Sequence, residues 1–205
     1  MSPIFITFLS MLAAFLLLTL TAAVRGVWHV IRHPTSAAAS GAKPGEPTRV
    51  TNGLLLTGVA LAWYSVAMGW GGQFTLYPIY ADLAKVGPEA FNAFGHSYLL
   101  HLKISLLPLG VMCLVWVSLL WLPPYRVSRR TVWAIVGLCV AFVAVTPFAA
   151  FAQDQMLAEG FSESVFARLM WSNAIRSVLF TGIGLLSLAA VRSRWTTRPN
   201  HGPGA

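Results

Sequence analysis

Arg-Arg-Thr-Val-Trp-Ala-Ile-Val-Gly-Leu-Cys-Val-Ala-Phe-Val-Ala-Val-Thr-Pro-Phe-Ala-Ala-Phe occupies residues 129–151. Two arginines open the stretch, and from Thr131 to Phe151 no charged residue follows. About 20 apolar residues, rising 1.5 Å each in a helix, match the ~30 Å hydrocarbon layer of a bilayer. A run of this kind predicts a transmembrane helix.

Working outward from it, the same pattern recurs. Ser97–Leu122 is a second such run, ended by Pro123 and Pro124 and followed by Arg126. Downstream, a helix predicted to start near Ser162, an N-cap residue type, continues to Val191 and is followed by Arg192, Arg194 and Arg198. Its ~30 residues, about 45 Å, exceed the hydrocarbon thickness and predict tilt or protrusion. Upstream, Gly53–Gly71 forms a span that Gly-Trp-Gly-Gly closes, with Trp63, Tyr64, Trp70, Tyr77 and Tyr80 near its far end, where aromatic rings favour the headgroup level. Pro3–Val24 is uncharged and is followed by Arg25 and Arg32. Because a secretory signal carries its positive charge ahead of the apolar stretch, this segment reads as a retained helix.

The expected fold is therefore all-α: a polytopic membrane helix bundle of five transmembrane helices. An N-terminal helix (1–31) is joined by a flexible basic linker (32–52), rich in Pro, Ser, Ala and Gly, to a four-helix core (53–191), and a basic tail (192–205) follows. The segment 72–95 carries Asp82, Lys85 and Glu89 and is expected to lie outside the membrane, with short helices at 80–86 and 88–94, Pro88 sitting near a helix start.

Composition agrees. Of 205 residues, 57% are hydrophobic and 10% charged, against about 25% charged in ordinary globular domains. The net charge of +8 does not point to nucleic acid, because the basic residues cluster at the ends of apolar runs. Ten of the fourteen Lys and Arg residues are Arg25, at the end of the first helix, and those of the linker, the 126–130 loop and the tail. The positive-inside rule then predicts a cell inner-membrane protein with the N-terminus periplasmic and the C-terminus cytoplasmic. Cys113 and Cys139 lie within apolar runs and form no C-x-x-C pair.

Charges inside a span cost roughly 2.5–3.5 kcal/mol, so each calls for a role. His96, His101 and Lys103 on the 97–122 helix, Gln153 and Asp154 ending the next, and Asn173 and Arg176 on the last converge toward the outer side. Arg176 is the expected centre, with Asp154 or Glu159 as the partner that a buried guanidinium requires. His96 and His101, five residues apart, diverge by about 140° on a helix and cannot chelate one metal as a single-face pair, whereas His96 and Lys103 share a face. His29 and His33 read as a basic helix end at headgroups rather than a metal site. No metal centre is expected, and no P-loop, H-E-x-x-H, nucleophile elbow or paired haem histidines occur.

The runs 71–91, Leu-Ala-Glu-Gly-Phe (157–161) and Trp-Ser-Asn-Ala-Ile-Arg-Ser (171–177) resemble a group of small bacterial integral membrane proteins related to the anthrone-oxygenase-like family of four-helix membrane proteins. The resemblance covers about residues 53–191 and is carried by Tyr77, Pro78, Asn173 and Arg176. Where those proteins tend to show a His-Asn-Arg run after the third core helix, this chain has Asp154-Gln155-Met156, and its histidines near Phe94 are displaced in register.

Three functions follow as expectations. One is an accessory or assembly subunit, partnered by another membrane protein or by copies of itself, with Gly137, Gly182 and Gly184 allowing close helix packing. Another, implied by the resemblance, is a membrane oxidoreductase or oxygenase-like enzyme on an apolar aromatic or quinone-like substrate, with His96, His101, Asp154 and Arg176 as catalytic groups and Tyr77, Lys103, Gln153 and Asn173 binding substrate. The last is a small-molecule transporter or sensor. The identity of any cofactor stays open at this stage.

Overall fold

The computed structural model describes residues 49–124 and 126–195, without the side chains of 49, 99, 100, 102–105, 194 and 195. The expected N-terminal helix, most of the basic linker, the Lys103 side chain and the end of the tail lie outside the described residues.

Every element among the described residues is helical. These are α1 (Arg49–Gly71), a π-helical turn (Gly72–Leu76), α2 (Tyr77–Val86), α3 (Pro88–Ser118), α4 (Arg129–Glu159) and α5 (Glu163–Trp195). Three stretches, 50–86, 129–159 and 163–193, are long and apolar enough to cross a membrane.

The chain does not stop at Gly-Trp-Gly-Gly as the sequence suggests. Gly71 keeps helical angles (φ −59°, ψ −43°), and the ladder slips into π geometry, with the Tyr77 amide donating to the Gly72 carbonyl. Three glycines weaken helix propensity, by about 1 kcal/mol each, but tertiary packing on one side holds the backbone helical. Gly87, at φ 148°, makes the break instead, a conformation open to glycine, and Pro88 starts α3 at its first turn. The expected short helix at 88–94 is thus the first part of one 31-residue helix.

Ser128 caps α4, its Oγ accepting from the Arg130 amide at 3.2 Å, and Gly160 (φ 93°) ends it. Ser162 precedes α5 at the expected boundary.

The helices run antiparallel along one bundle. Phe91, near the start of α3, packs on Phe161 in the α4–α5 turn with ring centroids 5.9 Å apart. At the other end Ser193 donates to the Arg126 carbonyl, 3.2 Å. Helix α3 therefore travels the full length of the bundle, from the acidic α4–α5 end to the basic 126–130 end.

Two cores stack along this axis. Trp116, Met112, Leu55, Ile135, Leu119 and Ile183 fill the larger one toward the basic end. Tyr80, Phe91, Met156, Val165 and Leu169 fill an aromatic-rich one at the acidic end. Outside, Val140, Phe148, Val178 and Leu185 are each more than half exposed, apolar side chains on the outer faces of the helices that are compatible with lipid around the bundle. Of the three glycines expected to allow close packing, Gly182 and Gly184 do face neighbouring side chains within 3.5 Å of an added Cβ, while Gly137 faces open space.

Candidate functional site

Between the two cores the bundle turns polar. Helix α5 brings Asn173 and Arg176 there, and the α1–α2 junction brings Gly69, Gly72, Gln73 and Tyr77. The approach is close because Gly69 carries no side chain: a Cβ there would lie 2.8 Å from Ser177 Oγ and 3.0 Å from Phe180 Cδ2. Into that contact Asn173 sends its amide nitrogen, which donates to the Gly69 carbonyl (3.2 Å) and to Gln73 Oε1 (2.9 Å). Its Oδ1 accepts from Arg176 Nη2 at 2.9 Å, and the same nitrogen donates to the Tyr77 hydroxyl at 3.2 Å. Asn173 is buried, so both faces of its amide are satisfied and its orientation is fixed.

Arg176 is not satisfied. Its Nε is buried without a partner, and Nη1 meets none among the described residues. No carboxylate pairs with it there; the only ion pair among the described residues is the exposed Lys85–Asp82 contact at 2.9 Å. Beside the guanidinium lies a cavity of about 50 Å³. Tyr77, Tyr98, Asn173 and Arg176 make its polar wall, while Met68, Leu106, Leu109, Phe142 and Phe180 make the apolar one. With Asn173 Oδ1 already engaged, the polar wall offers donors: Nη1 of the guanidinium and the hydroxyls of the Tyr77–Tyr98 pair.

The structure brings together three of the residues singled out from sequence, Tyr77, Asn173 and Arg176. Asp154 does not join them, for a reason of depth. Counted along the helices from the basic end, Arg176 is 16 residues above Arg192, about 24 Å, whereas Asp154 is 24 residues above Arg130, about 36 Å. A guanidinium cannot reach across a ~12 Å axial offset. Gln153 is buried on α4 with its Nε2 unpartnered, and Glu159 accepts from Gln155 Nε2 at 2.9 Å. His96 and His101 are exposed on α3, His101 Nδ1 lying 2.8 Å from the Ser97 carbonyl. Among the described residues no group of three or more His, Cys, Asp or Glu is placed to hold a metal ion.

Gln73 and Tyr98 escaped the sequence reading. The signal for Gln73 was the glycine pair Gly69 and Gly72 ahead of it, which marks close helix approach; Tyr98 had no local signal, since only the fold sets its ring beside Tyr77, centroids 6.4 Å apart. No protein-family model, curated protein or solved structure matches this chain.

Proposed function

We propose that the protein is a multi-pass inner-membrane protein, crossing with its four long helices and with residues 3–24, whose core binds a small anionic group at Arg176 in a transport or sensing role. The single observation that carries this reading is the guanidinium itself: a cation below the bundle surface, beside a cavity, with donors around it and no carboxylate partner among the described residues. Even half-buried, a cation without a counter-charge inside a span is costly, so a structure that keeps one gains by having its counter-charge arrive from outside.

Depth supports the reading. On α5, Trp171 is 72% exposed and lies 21 residues, about 32 Å, from Arg192. That spacing equals the hydrocarbon thickness, with a ring at one interface and a basic residue at the other. Arg176 then sits roughly 7 Å below the outer interface, within reach of a ligand entering from the periplasmic face or the outer leaflet.

The test uses the full chain in phosphatidylcholine nanodiscs and three amphiphiles of equal chain length: dodecanoate, dodecyl phosphate and dodecanol. An anion should bind wild-type protein at least tenfold tighter than the alcohol, and Arg176→Gln should erase that preference. Equal binding of all three, or a preference untouched by Arg176→Gln, contradicts the proposal.

A further inference from the structure

We infer that the Arg176 cavity takes an apolar monocarboxylate: a molecule with one carboxylate head and a hydrocarbon body. The inference rests on the anion-binding reading above and narrows it to a ligand class.

Charge makes the first selection. Arg176 is the one cation among the residues lining the cavity. A carboxylate brings a single negative charge, whereas a phosphate monoester carries about −1.5 to −2 at neutral pH and would leave part of its charge unpaired in a low-dielectric site. Size sets a limit. On the measure by which one water takes roughly 10–15 Å³, the cavity of about 50 Å³ holds three or four waters, room for a carboxylate head, so a longer hydrocarbon body extends beyond it.

Geometry makes the second selection. Both hydrogens of Nη2 are committed to Tyr77 and Asn173 and Nε is buried, leaving Nη1 for the ligand. The Tyr77 hydroxyl accepts from Arg176 through its oxygen, so its own hydrogen can still be donated. Two carboxylate oxygens, each accepting from these donors, complete the set. The remaining wall, from Met68 through Leu109 to Phe142 and Phe180, offers nothing polar, and the part of the ligand beyond the carboxylate must therefore be hydrocarbon. A free acetate would satisfy the head and leave that wall uncovered.

Competition against tritiated dodecanoate on the full chain in phosphatidylcholine nanodiscs tests each selection. Dodecanoate should bind at least tenfold tighter than dodecyl phosphate and more than 100-fold tighter than acetate, with octanoate between. Arg176→Gln should lose roughly 100-fold, Arg176→Lys about tenfold because a compact ammonium cannot hold Tyr77 and Asn173 and still donate to the ligand as the planar guanidinium does, and Tyr77→Phe fivefold or more while keeping the ring. Should Arg176→Gln fail to fold, the Lys and Phe variants carry the test, and no loss in either overturns the assignment. Arg176-dependent binding in which dodecyl phosphate equals or exceeds dodecanoate sinks the carboxylate assignment but leaves the anion site standing. Acetate binding as tightly as dodecanoate removes the hydrocarbon requirement. Binding of neither anion in an Arg176-dependent way removes both this inference and the function it rests on.

Discussion

Adding one methyl group at Gly69 should loosen the bundle where α1 meets α5. A Cβ on residue 69 would stand 2.8 Å from Ser177 Oγ, 3.0 Å from Phe180 Cδ2 and 3.3 Å from Ser177 Cα. The hydroxyl cannot simply swing away, because it donates to the Asn173 carbonyl at 2.9 Å, and the Cα belongs to the backbone of α5. Relief therefore requires the helices to part. Overpacking of this kind costs about 1–3 kcal/mol, and stretching the 3.2 Å bond from Asn173 to the Gly69 carbonyl removes about 0.5–1.5 kcal/mol more. Against this stands the helix-propensity gain of alanine over glycine, about 1 kcal/mol. The balance for Gly69→Ala is a loss of roughly 1–3 kcal/mol. Gly71→Ala, two residues on, is the control: its Cβ would meet nothing within 4 Å and its angles are helical, so it should gain up to about 1 kcal/mol. Unfolding of both variants in mixed micelles by denaturing detergent reads the difference directly. Equal stability of the two would refute the close approach on which the site is built.

Gln73→Glu keeps an acceptor for Asn173 and supplies an internal counter-charge near Arg176, worth about 2–3 kcal/mol at an effective dielectric near 20; it should stabilise the protein and weaken dodecanoate binding at least tenfold by the same competition assay. Trp116 is fully buried with its indole N–H unpartnered, so Trp116→Phe should change stability by no more than about 1 kcal/mol, the relief of an unsatisfied donor offsetting the lost volume, while Trp116→Ala should cost about 3–5 kcal/mol. In a background without Cys113 and Cys139, Ala158→Cys should react with a membrane-impermeant maleimide on intact spheroplasts and Arg129→Cys only after permeabilisation; the reverse pattern would invert the orientation.

Helical class was legible because lipid imposes its length on a span, and the start of α5 beside Ser162 and the helix start at Pro88 were legible because serine and proline punctuate it. Other limits were not: α3 begins nine residues before Ser97 and α4 runs eight residues past Phe151, as far as Gly160. The glycines at 69–72 misled for a physical reason: read locally they break a helix, but in the fold the missing side chain of Gly69 lets α5 approach, and packing outweighs propensity. Asn173 and Arg176 were recognisable as polar groups that lipid would not tolerate idle, and Tyr77 only as an aromatic ring near the interface and through the runs that carry the resemblance. Asp154 and the histidines were grouped with them by shared depth on a linear map. Helix length and rotation then separate them: α4 carries Asp154 well above the guanidinium, and α3 turns His96 and His101 outward. Tyr98 joined the site only through the pairing of α3 with the α1–α2 junction, which no local pattern encodes.

The central claim is that the Arg176 guanidinium is completed by a ligand carboxylate. Solid-state NMR on arginine-¹⁵N-labelled protein in lipid, with dodecanoate ¹³C-labelled at its carboxyl carbon, measures that contact. Wild-type protein should show carbon–nitrogen dephasing at about 4 Å, the separation of a hydrogen-bonded guanidinium and carboxylate, and Arg176→Gln should show none. Dephasing that persists in Arg176→Gln, or its absence from wild-type protein saturated with dodecanoate, would contradict the account.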